Sequence, residues 1–260
     1  MKIKIYQVDA FTGKLFSGNP AAVCVLEKWI PEDLMQNIAM ENNLAETAFI
    51  VNEKEGLHIR WFTPKAEVAL CGHATLASGH VIFNHLNEKK SEISFQSLSG
   101  ELKVRKEGGD LILNFPTDTI HDIDIPENIV DAIGLRPVIA QKGKTDYMLI
   151  YADQAQIELI QPDFRKLKQT EARGIMVTAP GKESDFVSRF FAPAVGVDED
   201  PVTGSAHTSL IPYWSKRLGK TELSAIQLSS RRGYLKCKYL GDRVDIGGQA
   251  VTYLIGEIDV

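Results

Sequence analysis

Glu46, Cys71, His73, Asp200, Thr203 and His207 are the side chains here whose types and settings suit proton chemistry. Most of them fall in two stretches that echo each other. Arg60-Trp61-Phe62-Thr63-Pro64 leads to Cys71-Gly72-His73-Ala74-Thr75, and Arg189-Phe190-Phe191-Ala192-Pro193 leads to Thr203-Gly204-Ser205-Ala206-His207. The link is three residues longer in the second copy. Each time an aromatic strand and a proline precede a glycine that opens an apolar helix. The first N–H groups of a helix have no partner within it, and the dipole is positive there. Such an opening suits a carboxylate or an oxyanion. Gly72 and Gly204 would let a ligand approach the backbone closely. One such glycine alone would be read as the end of a turn. Two copies point to a shared anion site, in a cleft between two similar half-molecules.

Each side chain also has a plainer reading. Glu46 begins the apolar run Ala48-Phe49-Ile50-Val51. It is either solvated or, at the rim of the core, partly desolvated and tuned for proton transfer. Asp198-Glu199-Asp200 precede the second helix, where acids commonly complement the dipole, so Asp200 is either a cap or a catalytic group. His73 and His207 sit in first helical turns, where a neutral imidazole is expected. His73 lies nearer its opening and is the better site residue, while His207 is expected only to pack. Cys71 and Thr203 occupy the same place in the two copies. Two thiols there would make a two-base racemase, and a threonine hydroxyl is a poor base.

The elements that must position these groups follow from periodicity. Strands are expected at Ile3–Asp9, Ala21–Leu26, Glu46–Val51, Leu57–Phe62, Ile93–Phe95, Glu101–Lys106 and Leu111–Phe115. Gly18-Asn19-Pro20 and Gly108-Gly109-Asp110 read as turns, and Pro31–Asn42 and Gly72–Leu86 as helices. A polar stretch after Pro116 suggests a boundary, giving halves at 1–117 and 118–251. The second half repeats the order: a helix at Pro126–Ile133, strands at Thr145–Tyr151, Gly174–Thr178 and Phe186–Phe191, and a helix at Gly204–Leu218. Strands at Ala225–Leu228, Gly233–Tyr239, Arg243–Ile246 and Val251–Ile258 follow. Strands outnumber helices, so the class is α+β with mostly antiparallel sheet. The helices from Gly72 and Gly204 read as apolar nearly all round, which requires burial on every face. A sheet curled around a central helix satisfies that.

Composition narrows the function. With 260 residues, 44% hydrophobic and 24% charged, the chain is an ordinary globular protein. A net charge of −5 argues against non-specific nucleic-acid binding. No apolar run spans a bilayer and no signal-peptide core is present, so a cytoplasmic location is expected. Three widely spaced cysteines and six scattered histidines lack metal-ligand spacing, so no metal site is expected. Nor is there a Gly-x-Gly-x-x-Gly or a P-loop to hold a nucleotide cofactor.

Gly18-Asn19-Pro20-Ala21-Ala22-Val23, Glu46-Thr47-Ala48-Phe49, Cys71-Gly72-His73-Ala74-Thr75 and Glu199-Asp200-Pro201-Val202-Thr203-Gly204-Ser205-Ala206 together resemble the PhzF phenazine-biosynthesis-like family. The match runs nearly the whole chain in order. The resemblance implies a diaminopimelate-epimerase-like fold, with the strand at about 252–260 returning to the first half. It implies a cofactor-independent isomerase, commonly a homodimer. Glu46 would move the proton, with His73, Asp200 and Ser205 assisting, and Asn19, Gly72 and Gly204 completing the substrate-binding positions. The expected reaction moves a proton between carbons of a small carboxylated, cyclic substrate. Two alternatives stand beside it. One is an amino- or imino-acid epimerase or dehydratase that depends on Cys71. The other is a non-catalytic small-molecule binder.

Overall fold

The computed structural model describes residues 1–170 and 172–260. It forms two compact units, Met1–Asn114 with Gly247–Val260, and Phe115–Ile246. In chain order the first holds β1 (Lys2–Ala10), β2 (Asn19–Leu26), α1 (Glu32–Asn42), β3 (Glu46–Glu53), β4 (Gly56–Phe62) and β5 (Glu67–Val68). It continues with α2 (Gly72–His85), β6 (Glu92–Ser97), β7 (Gly100–Glu107) and β8 (Asp110–Pro116). The second holds β9 (His121–Ile123), α3 (Glu127–Ile133), β10 (Ile139–Lys142), β11 (Asp146–Ile150), α4 (Gln154–Leu159) and α5 (Phe164–Leu167). β12 (Gly174–Pro180), β13 (Phe186–Ala192), a 3-10 turn (Pro193–Val195) and β14 (Val197–Asp200) follow. Then come α6 (Gly204–Leu218), β15 (Glu222–Gln227), β16 (Gly233–Tyr239) and β17 (Arg243–Gly248). The last strand, β18 (Ala250–Asp259), pairs antiparallel with β1 in the first unit.

The pairing pattern occurs twice. In the first unit β2 and β3 are parallel, β3 and β4 antiparallel, and β4 and β6 parallel. In the second, β11 and β12 are parallel, β12 and β13 antiparallel, and β13 and β15 parallel. Parallel neighbours need a crossover, and the helices supply it. α1 and α2 serve the first unit, α4 with α5 and then α6 the second. Sequence reading saw hairpins and missed these parallel pairs. It also missed β5, β9, β10, β14, α4 and α5, whose segments are too short for periodicity to register.

Strand parity decides what each helix covers, because alternate side chains face opposite ways. Ala22, Cys24, Phe49, Val51 and Phe62 pack with Met35 and Ile38 of α1. The intervening residues, Ala21, Val23, Ala48, Ile50 and Trp61, are buried on the other face, where α2 lies against β1, β2 and β3. Strands buried on both faces read as continuous apolar runs. α2 is buried almost all round from His73 to Phe83. α6 departs from the sequence expectation, because its last turn, Lys216-Arg217-Leu218, is exposed. Two helix starts also shift by one residue. Pro31 and Pro126 are N-caps rather than first helical residues. Among the described residues no helix is long and apolar enough to cross a membrane.

Asn19 and Pro20 belong to β2 and not to a turn, which leaves Gly18 as the turning residue. Gly18 has φ +64, and a Cβ there would lie 2.1 Å from the Ala10 carbonyl oxygen. A left-handed residue with a side chain costs about 1–2 kcal/mol before any clash. Gly18→Ala is expected to destabilise the protein by about 2 kcal/mol or more, measured as a lowered urea midpoint with an unchanged slope. An unchanged midpoint would show that the β1–β2 connection relaxes freely.

Candidate active site

The same parity aims the chemistry. Glu46 is the first residue of β3 and shares the face of Ala48 and Ile50. Asn19 opens β2 and shares the face of Ala21 and Val23. Both therefore point to the α2 side, at the height of its first turn. There Glu46 Oε2 lies 3.1 Å from His73 Nε2. The other ring nitrogen, Nδ1, lies 3.2 Å from Asn19 Nδ2 and 3.5 Å from Cys71 Sγ. His73, Cys71 and Asn19 are buried, and the Glu46 side chain is 18% exposed. Neither Glu46 Oε2 nor His73 Nε2 makes a well-aligned hydrogen bond, although they are in contact. The Glu46 Oε2 atom is itself buried against the ring. Gly72 begins α2, whose ladder starts with Thr75 N–H donating to the Cys71 carbonyl at 3.2 Å. The N–H groups ahead of that bond form the helix opening.

Burial opposes a charged His73, but the neighbouring Cys71 and Glu46 outweigh it, and its pKa lies well above the usual value. Cys71 is pushed up, first by burial and then by the Glu46 charge. Both neighbours act on the ring, Cys71 more strongly and Glu46 next. The neutral His73 expected from its helical position is thus corrected. A helix terminus is worth about 0.3–1 kcal/mol, whereas a unit-charge pair at about 4 Å is worth about 4 kcal/mol at an effective dielectric constant near 20. His207 has no such partner. Burial lowers its pKa to about 4, and its Nδ1 lies 2.8 Å from the Thr203 carbonyl oxygen. It packs against Phe186 inside the second unit.

The Glu46, Cys71 and His73 ligand atoms lie within 4.8 Å of one another, a donor set that could attract a metal ion. The imidazole, however, stands between the other two, with Nε2 towards Glu46 and Nδ1 towards Cys71. An ion on either nitrogen would leave one partner on the far side of the ring.

The second unit carries the other named residues. Asp200 ends β14, and its Oδ2 accepts from Thr203 Oγ1 at 2.6 Å. Thr203 caps α6, Gly204 begins it, and Ser205 is exposed in its first turn. Three features escaped the sequence reading. Gln227, fully buried, binds both Asp200 and Thr203 through 2.8–3.1 Å hydrogen bonds. Its signal was a polar residue inside the apolar strand Ala225–Leu228. Arg60 forks onto Glu67 with two 2.7 Å bonds, and Arg189 forks onto Glu199 at 2.8 and 2.9 Å. Those arginines stand in the repeated motif, but their partners lie seven and ten residues away.

Two copies of one strand–helix pattern, with an ionisable cluster at a helix opening, define an epimerase-like class of fold. A predicted epimerase of Pseudomonas aeruginosa, 17% identical, shares that fold with a TM-score of 0.73 over 98% of this chain and 99% of its own. Residues 8–256 match the family model for phenazine biosynthesis-like proteins, and the chain belongs to that family. It is 50% identical over 259 residues to a P. aeruginosa protein named an uncharacterized isomerase, covering 99% of both chains. A PhzF-family crystal structure from Enterococcus faecalis is 47% identical, with a TM-score of 0.97 over the whole of both chains. The protein is accordingly an isomerase.

The Glu46–His73 coupling can be read by NMR. His73 is expected to titrate well above 6.5, and lower in Glu46→Gln, where one of the two neighbours that oppose burial has lost its charge. Because the folded value is raised, the pair's contribution to stability is complete below about pH 6.5 and is lost as pH rises through the folded value. In Glu46→Gln that loss is expected at lower pH. A His73 titration indifferent to Glu46 would overturn the coupling.

Proposed function

We propose that this isomerase moves a proton between two carbons of a small, carboxylated, cyclic substrate, with Glu46 as the acid/base. The observation that carries the reading is the Glu46 carboxylate. It is mostly buried, it touches the charged His73, and its side chain keeps 18% exposure. Glu46 removes a proton from an sp³ carbon, the double bonds shift, and the protonated carboxyl returns the proton to another carbon. Substrate and product have the same atoms and oxidation level, so the step needs no redox partner. A well-placed general base contributes about 10²–10⁴-fold. The charged His73 and the α2 opening favour the negative charge that develops on the substrate. In this reading Asp200 and Ser205 hold polar substrate groups, as the family resemblance implies.

The Cys71-dependent alternative draws less support. Its thiol is buried and pushed up, and the matching residue, Thr203, gives its hydroxyl proton to Asp200. Incubation in D₂O with a panel of small cyclic carboxylates, followed by NMR, decides between the readings. Glu46→Gln is expected to lose deuterium uptake by at least about 10²-fold while still showing ligand-induced shifts. Exchange that survives Glu46→Gln and disappears in Cys71→Ala would transfer the base to the thiol. Binding without exchange in wild type across the panel would favour a binder.

We also propose a homodimer, which the resemblance implies and the surface of the first unit supports. Phe16 is 68% exposed, has φ +66, and lies against the exposed Tyr253 ring, with Leu15 and Ile255 also exposed. A bulky residue held in left-handed backbone to present its ring to solvent suits a contact with a second copy. Phe16→Asp is expected to halve the mass seen by light scattering. An unchanged mass would place the interface elsewhere.

A further inference from the structure

The second helix opening carries a directed hydrogen-bond chain that starts at Gln227. Its amide orientation is settled by backbone groups. Oε1 accepts from Thr203 N–H at 2.9 Å, and Nε2 donates to the Asp200 carbonyl at 2.8 Å. Nε2 therefore also faces Thr203 Oγ1, at 3.1 Å, as a donor. A hydroxyl has one proton and two lone pairs. With Oγ1 accepting from Gln227, its proton goes to Asp200 Oδ2, 2.6 Å away. The segment between these residues has little freedom. Ser229 Oγ donates to the Pro201 carbonyl at 2.9 Å, and a Cβ on Gly233 would lie 2.2 Å from Val202 Cγ2.

We propose that Thr203 is a positioning residue that fixes the Asp200 carboxylate, and that Gln227 sets the direction of the Thr203 hydroxyl. The proposal rests on the reading in which Asp200 binds substrate. It also gives the Thr203 position its own purpose. Where the first unit places the Cys71 thiol beside an imidazole, the second places a hydroxyl whose one proton is committed to a carboxylate. Thr203 is then neither a weak base nor the remnant of a thiol pair. It holds Asp200 pointed one way.

The test follows the Asp200 side-chain carboxyl by ¹³C NMR titration, which needs no substrate. Thr203→Val keeps the shape of the side chain and removes the proton donor. Asp200 is expected to titrate higher than in wild type by about one pH unit or more. Thr203→Ser, which restores the donor, is expected to keep the wild-type titration. Gln227→Met is expected to shift Asp200 the same way and to add nothing in the Thr203→Val background. An unmoved Asp200 in Thr203→Val, or equal shifts in the valine and serine variants, would overturn the proposal. So would a Gln227→Met shift that adds to that of Thr203→Val. The substrate reading is tested apart, by deuterium exchange in Asp200→Asn. Wild-type exchange there would remove Asp200 from the reaction and leave the titration to decide the positioning.

Discussion

The contact between Glu46 and His73 is the constraint that the first unit is arranged to meet. A buried imidazolium is costly unless an opposite charge lies close by. The carboxylate must therefore reach the first turn of a buried helix from the end of a strand. Parallel pairing of β2 with β3 brings Asn19 and Glu46 to the same sheet end, and parity turns both towards α2. The depth of α2 is set further along, where a Cβ on Gly79 would lie 2.7 Å from Val104 Cγ1. A helix held that close to β7 cannot drift away from the carboxylate. Asn19 faces Nδ1 across 3.2 Å and can hold the protonated ring only with its amide turned so that the oxygen accepts from Nδ1–H.

The duplicated scaffold shows which parts are chemistry and which are support. Thr47 pairs with Phe62, and Ile175 with Phe191, so Glu46 corresponds to Gly174. A Cβ on Gly174 would lie 2.2 Å from the Phe190 ring, so the second unit fills that space with an aromatic side chain. His73 corresponds to Ser205, and Val68 to Asp200. The ionisable groups have thus been divided between the copies. One keeps a carboxylate–imidazole pair and the other a carboxylate held by a hydroxyl. The sheets, the crossover helices and the arginine forks are common to both.

Much of this was legible in the residues. The repeat, the buried helix α2, the strands around it and the helix openings all carry local signals. Gly108 and Gly109 mark the β7–β8 hairpin by the left-handed backbone that such turns require. Parallel pairing was not legible, because it joins strands separated by a helix and leaves no mark on either strand alone. The state of His73 was hidden for the same reason. Its helical position argues for a neutral ring, and the carboxylate that reverses the argument stands 27 residues away in the chain. Gln227 is similarly remote, 24 and 27 residues from Thr203 and Asp200. Polar groups that act through tertiary contact announce themselves in sequence only as polar residues in apolar runs.

The three-residue difference between the two links has a structural reading. In the second copy the 3-10 turn Pro193–Val195 and Gly196, with φ +92, lie between β13 and β14. The extra length falls before the fork partner and not after it. Glu67 and Gly72 are five residues apart, and so are Glu199 and Gly204. Each fork ties its glutamate to the strand that carries the arginine, so the distance in chain from a fixed strand to the helix opening is the same in both copies. Insertions ahead of the fork are absorbed in a surface turn, where loop length costs little. An insertion behind it would displace the first turn of the helix, and with it His73 in one copy or the Thr203–Asp200 pair in the other. The arginine forks are therefore partly exposed ion pairs of small intrinsic worth whose value is geometric, since they hold constant the one spacing on which both helix openings depend.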